Sequence, residues 1–313
     1  MIATAPDLLR LALIPAFIWL AILDIRTRRI PRKVWWPLGV IAVIALLWSG
    51  SNEMAVGGLS LQHWIVQVVI SIGLVAPLGY LFHRFGAFGG ADAKAVIVLA
   101  IAYPTYPIIS FAGSTLPMVH APTGVFSLTI LTNAVLLGLC YPLGLALRNA
   151  LYGEFRVSML VGLPVHWRSL EERHGVLLES PTGFTRRGLD LDALRMYLAW
   201  RSTDLATLRR DPANHADPSS IPASPGPVGD GRVKTDGGTD TDDRWGARTF
   251  LEDTGGAYGT RPEELRAALN LICERDMVWI SPGIPFLVLL VGGLLVGIVA
   301  GDLFSIIGAT VGL

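Results

Sequence analysis

The chain has 313 residues, of which 52% are hydrophobic and 16% charged, with a mean hydropathy of +0.52. Soluble domains carry about a quarter charged residues, so this composition argues for a protein with several membrane spans. The formal net charge is zero and no basic stripe interleaved with aromatics runs along the chain, which argues against a nucleic-acid partner.

The first apolar run, Leu8 to Leu23, follows acidic Asp7 and precedes a cluster of arginines, with no small-residue cleavage site closing it. It reads as a true membrane helix rather than a cleaved signal peptide. Spans of about 20 apolar residues cross a bilayer, and candidates fall at 5–24, 34–49, 64–83, 93–111, 124–147 and 284–304. The expected fold is therefore all-α, a polytopic membrane bundle of about six helices. Its parts are a membrane domain over 1–148, an insertion over 149–282, and a final helix over 283–313 packing on the bundle.

Basic residues set the orientation. Arg26, Arg28, Arg29, Arg32 and Lys33 crowd the first connection, Arg84 and Lys94 flank the third, and the fifth carries the arginines from Arg148 to Arg275. The stretches 49–82, 95–147 and 283–313 hold no Lys or Arg. The odd-numbered connections are thus expected in the cytoplasm and both termini outside, with Arg10 the one cation on the wrong side. Asp302, near the outer end of the last helix, reads as an interfacial residue.

Within the insertion, Leu189 to Trp200 has helical periodicity. Thr260-Arg261-Pro262-Glu263 reads as a capping box that opens a helix to about Glu274. Between them, 211–259 is rich in Pro, Gly, Ser, Thr and Asp and is expected to be disordered. The last span carries Gly293, Gly297 and Gly301 at four-residue intervals, a spacing that suits close helix packing as well as the general frequency of glycine in membranes. Cys140 and Cys273 are too few for a disulfide framework or an all-cysteine zinc site.

Two acids stand out. Asp24 closes the first apolar run in Asp24-Ile25-Arg26-Thr27-Arg28-Arg29-Ile30, and Asp92 opens another in Gly89-Gly90-Ala91-Asp92-Ala93-Lys94. An ionisable group at the edge of hydrocarbon is costly and marks a candidate functional site. Each also has a structural reading. Asp24 could pair with Arg28, although the C-terminal end of a helix disfavours an anion. Asp92 could simply cap the fourth helix. The pair Gly89 and Gly90 would let the backbone pass close to another chain. Lys94, two residues from Asp92, should point elsewhere on a helix, toward lipid phosphate or in support of the site.

Together, two carboxylates sharing one proton can activate water and protonate an amide nitrogen. Here the motifs, with Trp35 beyond the first, resemble those of the archaeal type IV prepilin and preflagellin (prearchaellin) peptidases. These are GxGD-type intramembrane aspartyl proteases, distantly similar to presenilins. Val278 to Phe286 is similar to that family's approach to its last helix. The resemblance covers about 1–147 and 277–313, and departs from the broader pattern at Ala91, where glycine is usual. It implies an endopeptidase with catalytic Asp24 and Asp92, and with Gly89, Gly90 and Lys94 as binding or supporting residues. No metal or other cofactor is implied. The partners would be pilin or archaellin precursors with short basic leaders, cut at the cytoplasmic face of the cell membrane, beside membrane lipids. With two cysteines and no CxxC, the chain should cleave without also methylating. The competing readings are an ion-coupled transporter using the same carboxylates, and a membrane anchor whose aspartates merely cap helices.

Overall fold

The structure, a computed structural model, describes residues 3–27, 30–85, 89–111, 113–155, 157–180, 183–185, 188–217, 262–283 and 285–312. It divides into two compact units, one of residues 1–141 with 284–313 and one of residues 142–283. The described residues are predominantly helical, as expected of an all-α membrane bundle, with short strands added.

The first unit opens with α1 (Ala5–Thr27), a single 3-10 turn at Arg32–Val34, and α2 (Trp35–Val56). Gly57, at φ +69°, turns the chain directly into α3 (Gly58–Ile70), so both spans run further than the 34–49 and 64–83 expected. A π turn at Ser71–Val75 joins α3 to α4 (Ala76–Arg84). It ends just before Pro77, whose ring would collide with the Gly73 carbonyl in a regular helix. Buried Ser71, at the start of that turn, has its hydroxyl 2.6 Å from both the Ala100 carbonyl and the Ser127 hydroxyl. Among the described residues, four stretches are long and apolar enough to cross a membrane: Ala5–Thr27, Arg32–Val56, Gly58–Arg84 and Phe126–Leu151.

The fourth expected span, 93–111, is corrected. Its helix, α5 (Gly90–Ala102), has 13 residues and rises about 20 Å, against a hydrocarbon core of about 30 Å. Pro104 is the reason, because the residue before a proline is pushed out of the helical region, and Tyr103 adopts φ −126°, ψ 53°. Most of the chain from Tyr103 to Pro107 is buried without being helical, which membrane depth tolerates where protein surrounds the backbone. Its carbonyls are used: Ser127 N–H donates to Tyr103 O (2.8 Å) and Phe126 N–H to Pro104 O (3.3 Å). A hairpin of β1 (Ile109–Phe111) and β2 (Ser114–Leu116) comes next, then α6 (Phe126–Leu151).

The second unit holds an antiparallel sheet of β3 (Leu163–His166), β7 (Met277–Ser281) and β4 (Val176–Leu177), in the order β3-β7-β4. The segment 277–281 that reads as an approach to the last helix is thus the central strand, with Val165 opposite Val278 and Leu163 opposite Ile280. A small hairpin, β5 (Glu179–Ser180) with β6 (Gly183–Phe184), lies outside that sheet. Around it pack α7 (Leu191–Trp200), α8 (Leu205–Arg210), α9 (Pro212–His215) and α10 (Pro262–Glu274). Leu177, Leu194, Tyr197, Trp200, Leu269 and Ile272 form its core. Residues 212–215, expected to be disordered, form α9, whose His215 carbonyl accepts the Tyr197 hydroxyl. The rest of that stretch, 218–259, lies outside the described residues, as do Thr260 and Arg261 of the expected capping box.

The chain returns to the first unit as α11 (Phe286–Val299) and α12 (Leu303–Val311). Gly301, at φ +96°, separates the two helices where a single span to 304 was expected.

Candidate active site

Asp24 sits in the last turn of α1, which runs on to Thr27, and is 9% exposed. Thr27 ties that helix end, its hydroxyl donating to the Leu23 carbonyl at 2.9 Å. Asp92 lies in the first turn of α5, where its Oδ2 accepts the Gly89 N–H at 3.0 Å. The capping role is therefore real, and it fixes the orientation of the carboxylate at the helix start. A Cβ on Gly89 would stand 3.0 Å from Asp92 Oδ2, so glycine makes room for the carboxylate to fold back on the helix start. A Cβ on Gly90 would meet the His83 ring at an ordinary 3.5 Å. Lys94 is half-buried on the same helix.

The two aspartates share one end of the bundle. Near the other end, Tyr103 Oη donates to the Arg10 carbonyl (2.5 Å) and Arg10 Nη1 reaches Thr105 Oγ1 (3.2 Å). This sets the start of α1 level with the finish of α5, and the chain's successive returns through α2 and α3–α4 make α1 and α5 run in opposite directions. At 1.5 Å per residue, Asp24 lies about 21 Å from that level and Asp92 about 17 Å, on the same side of it. The difference is less than one helical turn. Both helices pack against α2.

Two neighbours at this end were not singled out as site residues. His83, in the last turn of α4, faces Gly90. Trp35, the first residue of α2, is buried, and its indole N–H has no acceptor among the described residues. Sequence spacing could not flag His83, because its position beside α5 depends on α4 and α5 packing together.

The opposite end holds a second set of buried polar groups. Arg10, the cation on the unexpected side, is paired with Asp7 (2.9 Å), and Thr4 donates to the same carboxylate (2.6 Å). Tyr106 bonds Thr129 (2.5 Å) and stacks on His120. Asn133 bridges the break after α11, donating to Gly301 O (2.9 Å) and accepting Leu303 N–H (3.0 Å). Asp302 is buried rather than interfacial and caps α12 by accepting Ser305 N–H at 2.9 Å. The Asn133 and Asp302 bonds serve the backbone at the break between α11 and α12.

Residues 11–143 match the family model described as the type IV leader peptidase family. The match takes in α1 through most of α6 and both aspartate motifs. It bears out the likeness to prepilin-type peptidases read from those motifs, without distinguishing an archaeal branch. No curated protein matches the chain.

Proposed function

With its residues 11–143 matching the type IV leader peptidases, we propose that this membrane protein is an aspartyl endopeptidase built on Asp24 and Asp92. Its substrates are type IV pilin-like or archaellin precursors, each with a short basic leader ahead of a hydrophobic helix. What supports the reading is that, by helix rise, the two carboxylates fall within one helical turn of each other at one end of the bundle. The arginine-rich connection beside them favours a cytoplasmic position for that end, where such leaders remain.

One carboxylate is ionised and its partner protonated, since two neighbouring acids do not both ionise freely. The ionised group takes a proton from water as the water oxygen bonds to the scissile carbonyl carbon. The protonated group gives its proton to the amide nitrogen as the C–N bond breaks. The products are a leader carboxylate and a new N-terminal amine, and the pair again holds one proton. Asp92 is oriented by its bond to Gly89 N–H, which holds the carboxylate ready at the start of α5. Gly90 and Lys94 line the same helix start as supporting residues. No metal or organic cofactor enters this scheme.

The test is cleavage of a tagged pilin or archaellin precursor, followed by size, with wild type beside Asp24→Asn and Asp92→Asn. Each substitution is expected to lower the rate by roughly 10²-fold or more, with membrane levels unchanged. Cleavage that persists in either variant removes the aspartyl mechanism. Loss of solute or ion flux in place of cleavage would favour the transporter.

A further inference from the structure

Exposed apolar side chains recur along α6 at every fourth position, Val135, Leu139, Leu143, Leu147 and Leu151, a stripe that winds slowly round the helix and suits contact with lipid. The helix has 26 residues and so rises about 39 Å, roughly 9 Å more than the hydrocarbon core. Arg148, the one charged residue of α6, lies in its last turn, so that is the end that emerges into the headgroup region.

The chain just beyond α6 keeps its apolar groups outward. Gly153, at φ +78°, ends the helix, and Glu154 N–H donates to Asn149 O (2.9 Å). Asn149 is buried, and its Nδ2 donates to Met159 O (2.9 Å) and Gly162 O (2.7 Å). One amide thus ties Met159 and Gly162 to the end of α6. Tyr152 is 75% exposed and Phe155 73%, and Leu160 and Val161 are exposed as well. The Arg148 guanidinium lies over the Tyr152 ring, 5.3 Å from its centroid.

An apolar patch of this kind is a liability in water. Here it continues a stripe already committed to lipid, and its chemistry suits the bilayer boundary. Aromatic rings with one apolar and one polar end collect at headgroup depth. An arginine on a long apolar stem reaches the phosphates. We infer that residues 151–155 and 157–161 are a membrane-docking surface, lying in the lipid headgroup layer of the face from which α6 emerges. The turn is an anchor for the start of the second unit, not part of a water-exposed insertion. This inference does not depend on the proposed peptidase activity.

The test uses the full chain with Cys140→Ser and Cys273→Ser, reconstituted in phosphatidylcholine–phosphatidylglycerol nanodiscs. Nitroxide labels are placed at Phe155→Cys and Leu160→Cys. Leu143→Cys serves as the hydrocarbon reference and exposed Arg210→Cys as the aqueous one. Collision with oxygen, which partitions into lipid, is compared with collision with a water-soluble nickel chelate. The oxygen-to-nickel ratio at 155 and 160 is expected to lie between the two references, several-fold above that at 210. A ratio equal to that at 210 overturns the inference, because the turn then faces water. Exclusion of both reagents overturns it too, because protein, such as a second copy, then covers the patch.

Discussion

Arg10 shows how a single residue can mislead when read by position. By charge it contradicts the orientation set by every other cation. In the fold it is neutralised by Asp7, with Thr4 on the carboxylate and Thr105 on the guanidinium. Its Nε and Nη2 remain buried without a partner among the described residues, so the pair is not an efficient stabiliser. Removing one member should still be costly, since it strands a buried charge. Asp7→Asn is expected to lower stability by about 3–5 kcal/mol in unfolding of the detergent-solubilised chain. The double change Asp7→Leu with Arg10→Met should recover most of that loss. Equal losses in the single and double variants would refute this account. The two candidate catalytic acids were legible from sequence because their cost demands a reason. Asp92's bond to Gly89 was open to the same reasoning, as a helix cap. His83 was not, since nothing in its own neighbourhood sets it apart.

At the scale of the element, glycine spacing carried two different meanings. Gly293 lets α11 approach α6 so closely that a Cβ there would stand 2.4 Å from the Ile130 carbonyl oxygen and 2.8 Å from Ala134 N. A Cβ on Gly297 would stand 3.0 Å from the Phe126 ring, whereas Gly301 is a turn with positive φ. The regular interval suggested one helix face, but the third glycine lies beyond the helix. Backbone cannot move aside as a side chain can, so Gly293→Ala should cost about 1–3 kcal/mol. Gly292→Ala, which meets the flexible Leu137 side chain at 3.1 Å, should be tolerated. Unfolding midpoints of the two variants in the same detergent check this, and equal midpoints would contradict it.

The second unit offers a pH test of a helix start. Asp190 caps α7 by accepting Asp192 N–H at 2.8 Å, yet burial, the largest influence, pushes its carboxyl above the ordinary range. The folded chain then holds this proton more tightly than the unfolded chain. Stability is greatest below the ordinary carboxylate pKa and falls as pH rises through the folded value. Asp190→Asn keeps a good cap without the charge. Its unfolding midpoint should gain on wild type between pH 4 and pH 7. A constant difference across that range would show that burial of this charge is not felt. At the far end of the unit, Arg209 bonds the Ile272 and Arg275 carbonyls (2.6 and 2.5 Å) at the C-terminus of α10, where a cation suits the helix dipole.

For the whole molecule, the proposed shared proton has a signature of its own. Cleavage should fall at both acid and alkaline extremes, as a pair that needs a single proton is lost by gaining a second or losing the one it holds. A rate that kept rising into strong alkali would count against the pair. That profile, measured with the same precursor as the two Asn variants, belongs to the pair and not to either residue.

Hydrophobic run length and the distribution of arginines determined by themselves that this is a helical membrane protein, and roughly where its spans lie. Both signals are local sums over the chain, and lipid imposes them whatever the packing. The motifs around Asp24 and Asp92 were likewise local, and they sufficed for the peptidase likeness. The tertiary structure alone decided that α5 stops at Ala102 and that buried coil completes its path. Only packing revealed the contacts of Arg10 with Thr105 and Tyr103, and the outward apolar groups of 151–155 and 157–161 rest on the Asn149 bonds. Each of these depends on which groups meet across the fold, where a buried backbone carbonyl or charge must find a partner. No window of sequence carries that information.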